Sequence, residues 1–188
     1  MRTLIVTAFM SLDGVMEAPG GEPGYRNSGW TFDGIAFDEA AYALKAQEQD
    51  GAGALLLGRR SYEAFAPVWP TMTAEFPRYN AMPRYVVSTT LEGDDPRWPA
   101  TVLRSLDDVA ALKQTDGAPL IVHGSATLGH ALADAGLVDR YHLLVFPVLL
   151  GAGKRLFSDA DRDKTLLDVV DTESYANGIV KVVADVRR

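Results

Sequence analysis

Ala54-Leu-Leu-Leu-Gly-Arg-Arg-Ser-Tyr-Glu-Ala-Phe65 reads as a strand that runs straight into a helix. The apolar run Ala54–Leu57 is too short for an independent helix and suits a buried strand. Gly58 breaks the run, Arg59 and Arg60 follow, and Ser61 is placed to cap a helix over 61–66. A helix N-terminus offers unpaired N–H groups and a positive dipole end, both suited to an anion, and the two arginines add charge at the same point. The pattern recurs at Leu120-Ile-Val-His-Gly-Ser-Ala-Thr-Leu128, where an apolar strand ends in Gly124 and Ser125 opens a helix over 126–135. Two such junctions in one small chain point to a nucleotide with more than one phosphate.

Outward from these junctions, Leu4–Phe9 reads as a first strand, central because both of its faces are apolar. The Gly- and Pro-rich run from Ser11 to Gly24 is too irregular for an element and has the length of a functional lid. Asp38–Gln49 is a predicted helix, with Asp38 as N-cap and Phe37 as a staple residue. Pro67, Pro70 and Pro77 make the next segment a covering loop with short helical pieces. Arg84–Leu91 reads as a strongly β-branched strand, Glu92–Pro99 as a polar loop and Thr101–Leu103 as a short strand. Ser105 caps a helix over 106–113, and strand 120–122 follows. Tyr141–Leu150 is a long apolar strand in which Pro147 signals an edge or a bulge. Thr165–Glu173 and Ile179–Val186 are strands joined through Asn177-Gly178, a strong hairpin signal. The expected class is α/β: a mixed, mainly parallel sheet with helices on both faces, closed by a C-terminal antiparallel hairpin. No repeat, low-complexity tract or second core interrupts it, so one domain over 1–188 is expected.

The bulk numbers bound the function. The chain has 188 residues, of which 47% are hydrophobic, enough for a real core. A net charge of −7 argues against a general nucleic-acid binder. Zero cysteines exclude disulfides, thiolate catalysis and Cys-ligated zinc. The apolar opening Met1–Met10 is short and soon meets Asp13, which reads better as a strand than as a signal sequence. No segment approaches the roughly 20 apolar residues of a membrane span. A soluble cytoplasmic protein with no membrane or nucleic-acid partner is expected.

The ordered motifs Ser11-Leu-Asp-Gly14, Leu57-Gly-Arg-Arg-Ser-Tyr-Glu63, Val86-Val-Ser-Thr-Thr-Leu91, Val122-His-Gly-Ser-Ala-Thr-Leu128 and Pro147-Val-Leu-Leu-Gly-Ala-Gly-Lys-Arg-Leu-Phe157 resemble a known family. They resemble the dihydrofolate reductase-like fold, in the branch built like the reductase half of the bacterial bifunctional riboflavin deaminase-reductase. The resemblance implies a three-layer α/β/α fold, NADPH as cofactor and pairing into a homodimer, with Tyr141–Leu150 as the expected interface. It implies a reductase acting on a small heterocycle, as 5-amino-6-(5-phosphoribosylamino)uracil reductase does in riboflavin biosynthesis. The cofactor residues it carries over are Gly58, Arg59, Arg60 and Ser61 for phosphates, and Ser88 and Thr89 beside the adenosine. Val122, His123, Gly124, Ser125, Ala126, Thr127 and Leu128 form the pyrophosphate turn. Ala8 and Gly14 flank the loop from Ser11 to Glu17 that covers the nicotinamide.

The chain departs from the family in three places. His123 replaces the first glycine of the turn. The zinc site of a deaminase half is excluded by the lack of cysteine. Dihydrofolate reductases grip the pterin with a carboxylate on the first helix; Asp38 and Glu39 sit at the start of that helix here, but the sequence does not aim either into the cleft, so folate is weakly supported as substrate.

Each candidate has a plainer reading. Arg59 and Arg60 either bind the 2′-phosphate of NADPH or are solvated, although cations are mildly unfavourable at a helix start. Ser125 and Thr127 either contact phosphate or merely open a helix. Asp13 is either the proton source or an Asp-Gly turn residue. His123 is either an acid-base group or a satisfied strand-end side chain. Trp30, Trp69 and Trp98 either line a heterocycle pocket or cover the core, and the turn 151–155 either binds a substrate phosphate or is a surface turn. Hydride transfer needs no nucleophile, only positioning and a proton. The alternatives to a reductase are a non-catalytic nucleotide- or flavin-binding protein on the same fold, and a flavodoxin-like domain, which the closing hairpin disfavours.

Overall fold

Strand β1 (Leu4–Ser11) sits inside an eight-stranded sheet, as its two apolar faces require. The computed structural model describes residues 1–93, 95–159 and 163–188, so position 94 of the expected loop 92–99 lies outside the described residues. The strands that follow are β2 (Ala54–Gly58), β3 (Arg84–Val87), β4 (Thr101–Leu103), β5 (Leu120–His123), β6 (Arg140–Phe146), β7 (Leu167–Ser174) and β8 (Val180–Val186). Their order across the sheet is β4-β3-β2-β5-β1-β6-β8-β7. The first six are mutually parallel, β8 runs antiparallel to β6, and β7 pairs antiparallel with β8.

The helices are α1 (Glu39–Gly51), α2 (Arg59–Phe65), α3 (Pro77–Ala81), α4 (Leu106–Gln114) and α5 (Ala126–Asp134), with a 3-10 turn at Trp69–Met72. On one face Leu4, Val6, Ala8, Leu56 and Val122 pack with Val109 of α4 and Leu128 and Leu132 of α5. On the other, α1 lays Ala41 and Leu44 beside Leu144 and Phe146, while Leu55 and Leu57 meet Tyr62 and Tyr79. Helices therefore cover both faces, as a buried parallel sheet requires. Among the described residues no helix is long and apolar enough to cross a membrane.

Caps decide where α1 and α4 start. Asp38 accepts the Ala40 N–H, and Phe37 stacks on Tyr42 with ring centroids 5.1 Å apart, the expected staple. Ser105 and Asp108 form a full capping box on α4.

Two strands differ from expectation. β3 stops at Val87 because the Ser88 hydroxyl accepts the N–H groups of Thr90 and Leu91 and turns the chain. β6 ends at Phe146, before Pro147, and lies between β1 and β8 rather than at an edge. Its apolar character reflects burial on both faces, and of the stretch 141–150 expected as a dimer face, Leu149 beyond the strand is the exposed large apolar residue. The edge next to it in the fold is β7, where Leu167, Val169 and Val170 are exposed.

Candidate active site

The site starts where β1 and β5 lie side by side. The connection from β1 through α1 passes over β5 to reach β2, and the connection from β5 through α5 passes over β1 to reach β6. The two crossovers leave in opposite directions on opposite faces, which opens a crevice at the carboxyl ends of these strands, the usual ligand position in an open α/β sheet. β5 stops at His123, opposite Thr7, whereas β1 and β6 continue together to Ser11 and Phe146.

The two strand-to-helix junctions meet at this crevice. α2 begins at Arg59, two residues earlier than expected, and its N-cap Gly58 carries no side-chain cap. Ser61 is therefore not the cap; its Oγ lies in the first turn, 3.4 Å from where a Cβ on Gly124 would stand. Ahead of α5 the chain passes through Gly124 (φ 62°) and Ser125 (φ 65°), two successive left-handed residues. Ser125 occupies the N-cap position but does not cap the helix. Its hydroxyl accepts the Gly58 N–H at 2.9 Å and donates to the His123 carbonyl at 3.2 Å, tying the two junctions together. Among the described residues the first-turn N–H groups of both helices are thus left without side-chain caps, unlike those of α1 and α4, and free helix N-termini are the kind of donor an anion uses.

The named side chains divide by exposure. Ala8, Val122, Ala126 and Leu128 are buried in the core and present only backbone. Thr127 and Thr89 are exposed, whereas Ser88 is buried and spends its hydroxyl on the turn after β3. Arg59 is paired with Glu63 at 3.0 Å, one helical turn on. Arg60 is exposed and makes no hydrogen bond or ion pair with the described residues; the Glu17 carboxyl is held below its usual range by its hydrogen bond to Lys154 first, with the charge of Arg60 a lesser contribution. All described peptide bonds, including that between His123 and Gly124, are trans.

The loop from Ser11 to Glu17 is stitched to the segment 148–156. Backbone bonds run from Leu12 to Val148, Met16 to Lys154 and Leu156 to Gly14. Asp13 is the centre of the stitching: its carboxylate accepts the N–H groups of Leu150 (3.1 Å) and Gly151 (2.8 Å) and the Ser11 hydroxyl (2.7 Å). Those bonds, the one from Ser11 first, hold its pKa down to about 2. A carboxyl so acidic and so fully used keeps the loop in place and has no proton to give near neutral pH. The turn 151–155 is occupied with the same work: the Arg155 guanidinium donates to the carbonyls of Asp13 and Gly151, and Lys154 pairs with Glu17.

Trp30 and Trp98 are core residues. Trp69 packs instead with Phe65, Phe76, Tyr79 and His123 into an aromatic wall beside the crevice. His123 Nδ1 lies 2.7 Å from the Tyr79 hydroxyl. Burial pushes the Tyr79 pKa up, so the phenol keeps its proton at physiological pH, and the imidazole tautomer sets which of the two groups donates. Burial, with the charge of Lys45, pushes His123 down to about 4, so the ring is neutral at physiological pH.

Four polar residues lie under the crevice: sequence reasoning passed over Thr7, Lys45 and Glu48 and took His142 for an ordinary strand residue. A signal was present. Glu48 continues the buried stripe of Ala41 and Leu44 at helical spacing, while Thr7 and His142 interrupt otherwise apolar strands at inward positions.

Residues 2–181 match the model of the RibD C-terminal domain. The chain belongs to the RibD C-terminal domain family. A relative in Bacillus subtilis (strain 168), the uncharacterized protein YyaP, is 27% identical over 188 residues, covering 97% of this chain and 94% of YyaP. A candidate riboflavin biosynthesis protein from Shewanella sp. PV-4 superposes with a TM-score of 0.77 at 18% identity, over 100% of both chains. Dihydrofolate reductase from Enterococcus faecalis, complexed with NADP(H), gives 0.62 at 14% identity over 99% of this chain and 97% of its own. A pyrimidine reductase-like protein from Corynebacterium diphtheriae gives 0.63 at 16% identity, over 100% and 92%. The fold is dihydrofolate reductase-like, and this RibD C-terminal domain belongs to a reductase-type family.

Proposed function

We propose that the protein is an NADPH-dependent reductase of a small planar heterocycle. The reading is carried by the contact between two uncapped helix starts, Gly58–Arg59 and Ser125–Ala126, at the β1/β5 crevice. A pyrophosphate suits two neighbouring sets of backbone N–H donors, tied together here through the Ser125 hydroxyl. Arg60, without a hydrogen bond or ion pair among the described residues, is the group that reads the 2′-phosphate. Ser88–Thr89 lie on the adenosine side, and the loop from Ser11 to Glu17, pinned through Asp13, shields the nicotinamide end from water. Bound NADPH supplies the hydride; the chain supplies orientation, dryness and a proton. The exposed apolar residues of edge strand β7 support pairing of two copies, and a monomeric mass by light scattering at micromolar concentration would remove that part.

The test is calorimetric titration of the protein with NADPH, NADH and FMN in parallel, followed by NADPH oxidation with a panel of heterocyclic acceptors that includes the ribosylaminopyrimidine. Selective NADPH binding with turnover is expected. Preference for FMN, or no nicotinamide binding, would refute the proposal.

A further inference from the structure

One face of the sheet carries a buried polar network that phosphate binding does not use. Thr7, His123 and His142 lie abreast on β1, β5 and β6, and α1 closes over them with Lys45 and Glu48. The Thr7 hydroxyl donates to Glu48 Oε1 at 2.7 Å and accepts from the Lys45 ammonium. Lys45 Nζ lies 3.3 and 3.4 Å from the two Glu48 oxygens, and His142 Nδ1 lies 2.9 Å from Oε1. The ammonium also sits 5.3 Å above the Phe9 ring, which packs edge-on against Tyr42. His123, held by Tyr79 of α3, bounds the network on the β5 side.

Stability does not call for this arrangement. A buried Lys–Glu pair is commonly no better than well-packed apolar side chains, and the neighbouring inward positions 41 and 44 on α1 are apolar. The network instead holds one group ready. Lys45 has three N–H donors, and among the described residues Thr7 and Glu48 take two directions. Its side chain keeps 15% exposure where Glu48 keeps 6%. It stands at the level of the sheet where β5 stops and the crevice opens.

We propose that Lys45 is the acid of this site, the group that protonates the heteroatom of the acceptor bond as it is reduced. The inference rests on the reductase reading above. As the acceptor carbon takes hydride from the reduced nicotinamide, which is thereby oxidised to NADP⁺, the π electrons of the C=N or C=O bond move to the heteroatom. That atom takes a proton from the Lys45 ammonium, and the resulting amine regains a proton from solvent. Thr7, Glu48 and His142 are positioning residues: Glu48 orients the ammonium and keeps it charged, while Thr7 and His142 fix Glu48. Burial lowers the Lys45 pKa against the raising effect of Glu48, which eases release of the proton. Asp13, tied into the loop, leaves this role open.

The test labels the whole chain by reductive methylation with formaldehyde and cyanoborohydride near neutral pH, followed by peptide mapping. The chain has five lysines, and Lys113, buried and paired with Asp139, is an internal control. Lys45 is expected to react at least roughly tenfold faster than Lys113, and faster still in Glu48→Gln, where loss of the carboxylate frees more of the amine. In parallel, Lys45→Met is expected to keep NADPH affinity within about twofold and to lose roughly 10²- to 10⁴-fold in turnover, the range of a general acid. Lys45 as inert as Lys113, or Lys45→Met turning over within about threefold of the parent, would overturn the assignment. Failure of the parent protein to bind NADPH is read separately by calorimetry and counts against the cofactor reading, since labelling needs no cofactor.

Discussion

Acidification tests the electrostatics of the crevice through His123. The ring ends β5, is hydrogen-bonded to Tyr79 and is packed by Phe65 and Trp69. Burial first, then the charge of Lys45, holds it at about 4, with Glu48 pulling the other way. In an unfolded chain the same ring titrates near 6.5. Between those values the unfolded chain binds a proton that the folded chain refuses, so stability is full above about pH 6.5 and is lost as pH falls toward 4. The loss across the whole window is on the order of 3 kcal/mol. For a chain of this size that corresponds to a fall in Tm of roughly 6–12 °C. The assay is thermal or denaturant unfolding of the parent and of His123→Asn from pH 7 to pH 4. Carboxylates common to both cancel in the difference, and the disturbed Tyr79 hydrogen bond adds only a pH-independent offset. The stability difference should shift in favour of the variant as pH falls. A difference that stays flat, or an NMR titration placing the His123 ring near 6.5, would refute the reasoning.

Other outcomes follow from single contacts. Arg60→Ala should weaken NADPH by about 1.5–3 kcal/mol and NADH much less, while Arg59→Ala, whose guanidinium is already engaged by Glu63, should do less; equal loss for both cofactors by calorimetry would mean that Arg60 does not read the 2′-phosphate. Asp13→Asn removes the charge that accepts from Leu150 and Gly151, so about 1.5–3 kcal/mol of stability should be lost and amide exchange at those two residues should quicken, with unchanged exchange counting against the stitching role. Gly153→Ala would put a Cβ 2.6 Å from Val15 at a φ of 143°, so a loss of roughly 1–3 kcal/mol is expected, and a melt indistinguishable from the parent would show that the loop has room to shift.

The two strand-to-helix junctions of the candidate site were legible because junction chemistry is local. A strand that breaks at Gly58 or Gly124 and turns at once into a helix must present N–H groups there, whatever lies around it. The side-chain roles were less legible. Ser61 and Ser125 both look like caps, yet neither acts as one, because Ser125 turns its hydroxyl to the Gly58 N–H of the other junction. Asp13 looks like a proton source until Leu150 and Gly151, distant in sequence, are found hydrogen-bonded to its carboxylate. The Lys45–Glu48 pair looks like an ordinary solvated i, i+3 pair, and only its phase relative to Ala41 and Leu44 hints that it points inward.

The sequence by itself determined the element order, the α1 and α4 caps, the Asn177-Gly178 hairpin and the two strand-to-helix junctions. These depend on interactions within a few residues, which propensity, periodicity and turn chemistry express directly. Only the tertiary structure decided that β6 lies inside the sheet, that Asp13 holds a loop, and that Thr7, Lys45, Glu48 and His142 form one network. Those facts depend on which strands become neighbours. Contacts such as that between Glu48 and His142, whose sequence positions lie far apart, arise only when the crossovers bring β1, β5 and β6 together under α1.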